Sequence, residues 1–232
     1  MTEDLRLGVW AMLGEPRTTA ALEDAGFDWV LLDQQHGHFD DAAVRATFAL
    51  RHERRVPVLV RPRANRADLI GRALDAGADG VIVPLVESAA EAEAAVAAAS
   101  SPPRGTRSFG PLPGALQAER PFVGVMVETA AGLAALDAIA ATPDLDLVFV
   151  GPFDLSQSLG TTVDDLLADD GPEAPLPRVV AACRAAGVRA GAFGATEARA
   201  RRFLELGFTD VVAALDTSVL AAGGAIADRV RA

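Results

Sequence analysis

The chain has 232 residues, half of them hydrophobic, with 32 acidic against 21 basic side chains and a formal net charge of −11. That length suits one domain with a sizeable core, while the acidic balance argues against nucleic acid, whose phosphates are held by clustered cations. No apolar run reaches the roughly 18 to 20 residues needed to span a bilayer, so no membrane association is expected.

The first ten residues, MTEDLRLGVW, carry acids early and lack a basic stretch or cleavage site, so no secretory signal is read there. Short β-type runs then alternate with Ala-rich helical runs. The first four are LGVWAML from Leu7, WVLLDQQ from Trp29, PVLVRP from Pro57 and GVIVPLV from Gly80. The next four are FVGVMVET from Phe122, LDLVFVGP from Leu145, VRAGAFG from Val188 and TDVVAAL from Thr209. Each is brief and almost continuously apolar, the pattern of strands buried on both faces. Helical patterns such as RADLIGRALDAG and ATEARARRFLELG lie between them, and several close on Gly26, Gly77, Gly187 or Gly207.

Eight strand–helix units over this length predict an α/β fold, a (β/α)8 TIM barrel. The rival, a doubly wound open sheet, would place a Gly-rich dinucleotide turn where AMLGEPRTT stands. The acidic, Pro-containing stretch TTVDDLLADDGPEAPLP from Thr161 is read as a solvated loop after the sixth strand. With no composition break, residues 1–232 are taken as one barrel domain.

In such a barrel the active site lies at the C-terminal ends of the strands. Reactive residues collect there. The second strand ends in Asp33, Gln34, Gln35 and His36, and the third in Arg61 and Pro62. The fifth ends in Glu128 and Thr129, and the sixth in Gly151, Pro152, Phe153 and Asp154. Taken singly, Glu128 or Asp154 also suits a helix cap. As a pair on neighbouring strand ends, they suit a divalent metal such as Mg²⁺ or Mn²⁺, leaving positions for water and substrate oxygens. His36 beside Asp33 has the makings of a general acid–base pair. Arg61 ends a strand with no other charge, so it needs an anion: a structural acid such as Asp33, or a developing enolate.

Two absences narrow the chemistry. All 21 basic residues are arginine, and there is no tyrosine. Without a lysine amine, neither Schiff-base catalysis nor internal pyridoxal-phosphate (PLP) attachment is open to this chain acting alone. Cys183, the one cysteine, falls in an Ala-rich helical stretch, where a buried thiol is expected, and no intrachain disulfide can form. The cytoplasm is the expected compartment.

The segments AGFDWVLLDQQHG, PVLVRP, ALDAGADGVIVPLVES, PPRGTRS, VMVET, VFVGPFDLSQSLG and LDTSVL, in this order and spacing, resemble the HpcH/HpaI family of metal-dependent 4-hydroxy-2-oxoacid aldolases. The resemblance covers nearly the whole chain. It implies a barrel of the phosphoenolpyruvate/pyruvate type and a homo-oligomer, a hexamer with the last helix exchanged between partners. It implies a divalent cofactor (Mg²⁺, Mn²⁺ or Co²⁺) held by Glu128 and Asp154, His36 as the catalytic histidine with Asp33 paired to it, and Arg61 near the substrate's oxo oxygen. The main-chain amides of Phe153 and Asp154, in the turn that holds Gly151 and Pro152, match those that bind the pyruvate carboxylate, and Phe193 matches an apolar residue against the substrate.

Two departures accompany the resemblance. Many members carry Glu where Gln35 stands, which removes a negative charge beside His36. The stretch between Arg107 and Glu128 is short, which predicts a more open rim on that side. The reaction implied is cleavage or formation of a 4-hydroxy-2-oxo acid from an aldehyde and the enolate of pyruvate or hydroxypyruvate. The alternatives are a lyase acting on a CoA thioester, which needs more basic residues on the rim, and a non-catalytic pyruvate-binding paralogue.

Overall fold

The computed structural model describes residues 5–53, 55–108, 110, 112 and 120–231. Eight parallel strands close into a barrel in sequence order. They are β1 (Arg6–Ala11), β2 (Trp29–Asp33), β3 (Val58–Arg61), β4 (Gly80–Val83), β5 (Phe122–Val127), β6 (Leu147–Val150), β7 (Arg189–Phe193) and β8 (Asp210–Leu215). The open-sheet rival is thereby set aside, since β8 pairs with β1 through Arg6 opposite Asp210 and Leu7 opposite Val211.

Helices follow the strands. After β1 to β4 come α1 (Pro16–Leu22), α2 (Asp41–Ala49), α3 (Ala67–Asp75) and α4 (Ala89–Ala99). After β5 come α5 (Ala130–Ala134) and α6 (Leu136–Ala140), and after β6 come α7 (Pro152–Ser158), α8 (Val163–Ala168) and α9 (Pro175–Ala186). The chain closes with α10 (Glu197–Leu206), then α11 (Asp216–Ala222) and α12 (Gly224–Arg231) beyond β8. None of the described helices is long and apolar enough to cross a membrane. The four glycines read as helix stops, Gly26, Gly77, Gly187 and Gly207, have φ of 88°, 114°, 73° and 101°, a left-handed turn that a side chain would strain.

The stretch from Thr161 departs from its reading as a loop. It holds α8, whose start is a capping box: Thr162 accepts from the Asp165 amide and the Asp165 side chain accepts from the Thr162 amide. Val163, Leu166 and Leu167 are buried. Their spacing of three and four residues is that of one helix face, so the apolar stripe outweighs the acids on the solvent side.

Alternation along each strand divides the core in two. Trp10, Trp29, Leu31, Leu59, Ile82, Met126, Leu147, Phe149 and Val212 fill the barrel, whereas their neighbours, such as Val9, Val30, Leu32, Val60, Val125 and Val148, pack outward under the helices. At the base, acids ahead of one strand hold the first amides of its predecessor. Asp28 accepts from Leu7 (2.7 Å), Asp79 from Val58 (2.8 Å) and Asp146 from Val123 (2.8 Å).

Candidate active site

The site residues are the next inward-facing places above the barrel's hydrophobic plug. A strand side chain returns to the same face every second residue. Leu31 is therefore followed inward by Asp33, Leu59 by Arg61, Met126 by Glu128, Phe149 by Gly151 and Gly191 by Phe193. All except Gly191 are grouped in the barrel interior or line a cavity of about 270 Å³ at the C-terminal mouth. His36, Pro152, Phe153 and Asp154 line it too, so the residues given catalytic, metal-binding or substrate roles in the sequence meet in one place, whereas Gln34, Gln35, Pro62 and Thr129 do not line it.

Asp33 stands directly opposite Arg61 in the β2–β3 register. Its carboxylate is fully buried, and Arg61 is 7% exposed. Arg61 donates through Nε to Asp33 Oδ1 at 2.9 Å and through Nη2 to Oδ2. The guanidinium lies over the Trp10 ring, 4.8 Å from its centroid, and the Trp10 indole donates to Asp33 Oδ2 at 3.1 Å. Burial alone would raise the Asp33 carboxyl, yet Arg61, Trp10 and the Gln35 amide together hold it below its ordinary value.

Of the two partners weighed for Arg61, the structural acid is thus present. The acid–base pairing expected for His36 takes a different form. Asp33 Oδ1 accepts from the main-chain amides of Gln35 (2.9 Å) and His36 (3.2 Å), and no hydrogen bond joins it to the imidazole among the described residues. With Arg61 Nε and Nη2 and the Trp10 indole it accepts five hydrogen bonds, so the carboxylate has no lone pair left for the ring. Asp33 shapes the turn that presents His36, whose ring stands exposed at the cavity. Gln35, in the place of an acid, has its Oε1 buried without a partner.

Glu128 is 1% exposed, and Oε1 accepts from the Leu85 amide at 2.8 Å. Leu85 has φ of 55°, rare for a branched side chain. This left-handed turn aims its amide inward while the side chain is left 50% exposed. Gly151 gives the carboxylate room, since a Cβ there would collide with Glu128 Oε2. Burial drives the Glu128 carboxyl above its ordinary value; the Leu85 amide and Arg61 oppose this, and Asp154 adds to it. A buried carboxyl that faces a second acid across one cavity can be neutralised by a proton or by a cation. Among the described residues no group of three or more His, Cys, Asp or Glu could hold a metal, so an ion here would rest on this pair plus water and substrate oxygens. Mg²⁺ and Mn²⁺ accept such a donor set.

The remaining wall is aromatic. Phe193 meets Trp10 edge-on (centroids 5.0 Å apart) and Phe153 at 6.0 Å. Phe153 and Asp154 lie in the first turn of α7, and neither amide donates a hydrogen bond among the described residues. Trp10, Met12, Met126 and Leu215 also line the cavity and were not picked out from the sequence. Trp10 had a usable signal, the inward parity of β1. The Leu85 amide had none. The expectation of an open rim between Arg107 and Glu128 falls largely on residues outside those described. A second cavity, about 280 Å³, opens at the opposite end of the barrel, where Asp79 and Asp210 are already paired with Arg51 and Arg189.

The model of one protein family, HpcH/HpaI aldolase/citrate lyase, matches residues 6–222. The chain is 36% identical to a hydroxypyruvate/pyruvate aldolase of Pseudomonas aeruginosa, over 94% of this chain and 85% of that one. It is 34% identical to a 5-keto-4-deoxy-D-glucarate aldolase of Salmonella arizonae, over 95% and 90%. Its fold is similar to the crystal structure of an HpcH/HpaI aldolase/citrate lyase family protein from Burkholderia cenocepacia, with a TM-score of 0.83 and 31% identity over 99% of this chain and 95% of that one.

Proposed function

Because this chain belongs to the HpcH/HpaI aldolase/citrate lyase family, we propose that it is a cytoplasmic, divalent-metal-dependent aldolase acting on 4-hydroxy-2-oxo acids. The observation that carries this reading is the juxtaposition of Glu128, buried, and Asp154, exposed, lining one cavity beside Arg61. These two carboxylates would hold the ion. When bound, it supplies Lewis acidity toward the carboxylate and oxo oxygens of the 2-oxo acid.

The chain's own residues do the rest. Arg61, locked by Asp33 and stacked on Trp10, is a fixed positive neighbour for the enolate oxygen, already desolvated and needing no reorientation. The unpaired amides of Phe153 and Asp154 bind the substrate carboxylate. Phe193, Trp10 and Phe153 pack the pyruvate carbon and exclude water from it. In cleavage, His36 takes the proton from the 4-hydroxyl as the C3–C4 bond breaks; in synthesis it returns that proton to the new alkoxide. Since the chain has no lysine, no lysine amine of its own competes as the electron sink. A CoA-thioester lyase is the weaker reading: Arg61 is committed to Asp33 in a buried pair, which leaves Arg63 and Arg66 as the remaining rim cations in the turn after β3, and the Pseudomonas and Salmonella relatives are aldolases.

We also infer a homo-oligomer built through the C-terminal helices, a hexamer as in the family reading. Leu220, Ile226 and Val230 on α11 and α12 are 60%, 57% and 81% exposed, an apolar face that a partner would cover.

A panel tests the reaction: pyruvate and hydroxypyruvate against several aldehydes, each with Mg²⁺, Mn²⁺ or Co²⁺. Aldol turnover that disappears on chelation and returns with metal is expected. Turnover that survives exhaustive chelation refutes the reading.

A further inference from the structure

We propose that the cavity at the N-terminal end of the barrel binds an amphipathic monocarboxylate, its apolar body inside and its anion against Arg6. The inward faces of the strands build this site below the barrel's hydrophobic plug. Two places before Gly8, Gly124 and Val212 stand Arg6, Phe122 and Asp210, turned to the same side. Gly8 leaves room for the Trp29 ring, since a Cβ there would collide with the indole. Trp29, Leu59, Ile82, Phe122 and Leu147 then bound a space of about 280 Å³. A cavity of roughly 150 Å³ already takes up benzene, so a chain or ring of about eight carbon atoms has room here.

The rim supplies the charge. Among the described residues, Arg6, Arg55 and Arg120 line the opening, against two acids, Asp79 and Asp210. Both acids are held by arginines that do not line it: Asp79 accepts from Arg51 Nη1 at 2.9 Å and Asp210 from Arg189 Nε at 2.6 Å. Arg6 stands opposite Asp210 in the β1–β8 register, yet it makes no side-chain hydrogen bond or ion pair among the described residues. Arg55 and Arg120 sit in part-exposed pairs with Asp24 and Asp146, which hold them weakly. The Trp29 indole N–H is buried without a partner, a donor left over in the cavity wall. An uncommitted guanidinium at the mouth of an apolar space favours an anion that carries an apolar tail over a bare anion or a hydrocarbon. None of these residues takes part in the proposed aldol chemistry at the other mouth.

Calorimetry with octanoate and octan-1-ol tests the site. The native protein is expected to bind octanoate once per chain and more tightly than the alcohol of equal length. Arg6→Gln is expected to weaken octanoate about three- to tenfold, the range for losing a solvent-exposed charged hydrogen bond, and to leave octan-1-ol unchanged. A second measurement locates the apolar end, using 8-bromooctanoate as a quencher of the chain's two tryptophans. It is expected to quench emission in the native protein but not in Trp29→Phe, whose remaining indole is Trp10 at the other end. Octanoate that does not bind, that binds no better than the alcohol, or that is as tight in Arg6→Gln overturns the assignment. So does equal weakening of acid and alcohol, or quenching that persists in Trp29→Phe. Each of these outcomes leaves the aldolase reading intact.

Discussion

Asp33→Asn tests the part of the site that holds Arg61 in place. Both members of the pair are buried, the side chains 0% and 8% exposed. The amide is isosteric but keeps one acceptor oxygen and gains an NH2, which meets donors on whichever side it faces. On the Oδ2 side are the Trp10 indole and Arg61 Nη2; on the Oδ1 side are Arg61 Nε and the amides of Gln35 and His36. Leaving a buried guanidinium without its counter-charge costs about 3–5 kcal/mol. At roughly 2–4 °C per kcal/mol for a chain of this size, the melting temperature should fall by roughly 6–20 °C. Turnover should fall as well, because Arg61 loses its fixed position. The sign with pH follows from the depressed Asp33 carboxyl. Its stabilisation is present above the unfolded value, about 3.9, and is lost as pH falls through the lower folded value, so the gap between native and variant should narrow in acid. Thermal unfolding from pH 7 to pH 3, with steady-state turnover at neutral pH, measures both. A variant that melts within about 1 °C of the native protein and turns over normally would show that the Asp33 charge does not hold Arg61.

Gly151→Ala places a Cβ against Glu128 Oε2, and since Gly151 has an ordinary φ of −92°, the effect is steric alone; metal affinity measured by calorimetry should fall by at least about tenfold, the cost of displacing one ligand. Leu85→Gly should hold stability to within about 1 kcal/mol by urea unfolding, because relief of the left-handed strain offsets the added chain entropy. Leu85→Pro removes the amide that bonds Glu128 and, with φ held near about −65°, also abolishes the left-handed turn, so its metal affinity should drop sharply and its stability with it. The Cys183 thiol is buried, which pushes its pKa up to about 12; iodoacetamide at pH 8 should leave it unmodified in the folded protein and alkylate it promptly in denaturant.

The barrel was legible because its strands are near-continuous apolar runs and its helices stop at glycines that need a positive φ. Residue identity at strand ends also brought out the candidate site, since period-two alternation turns Asp33, Arg61, Glu128 and Phe193 to the same side as Leu31, Leu59, Met126 and Gly191 and into one cavity. What a single sequence leaves open is who pairs with whom across strands. Asp33 meets Arg61 because the β2–β3 register sets them opposite, and register is fixed by packing of the whole barrel; from sequence Asp33 was open to either Arg61 or the nearer His36. The Leu85 amide was invisible for a related reason, because a main-chain donor leaves no trace in residue identity. The α8 stretch, by contrast, held its signal in Val163, Leu166 and Leu167, and the surrounding acids obscured it.

In the proposed reaction Glu128 and Asp154 hold one divalent ion that a 2-oxo acid needs in order to become an enolate. Mn²⁺ titration by calorimetry, paired with exchange of the pyruvate methyl protons into deuterated water, tests it directly. The native protein should bind one ion per chain and exchange the protons only when loaded, while Glu128→Ala and Asp154→Ala lose both. Equal Mn²⁺ binding by the native protein and both variants, or exchange that proceeds without metal, would contradict it.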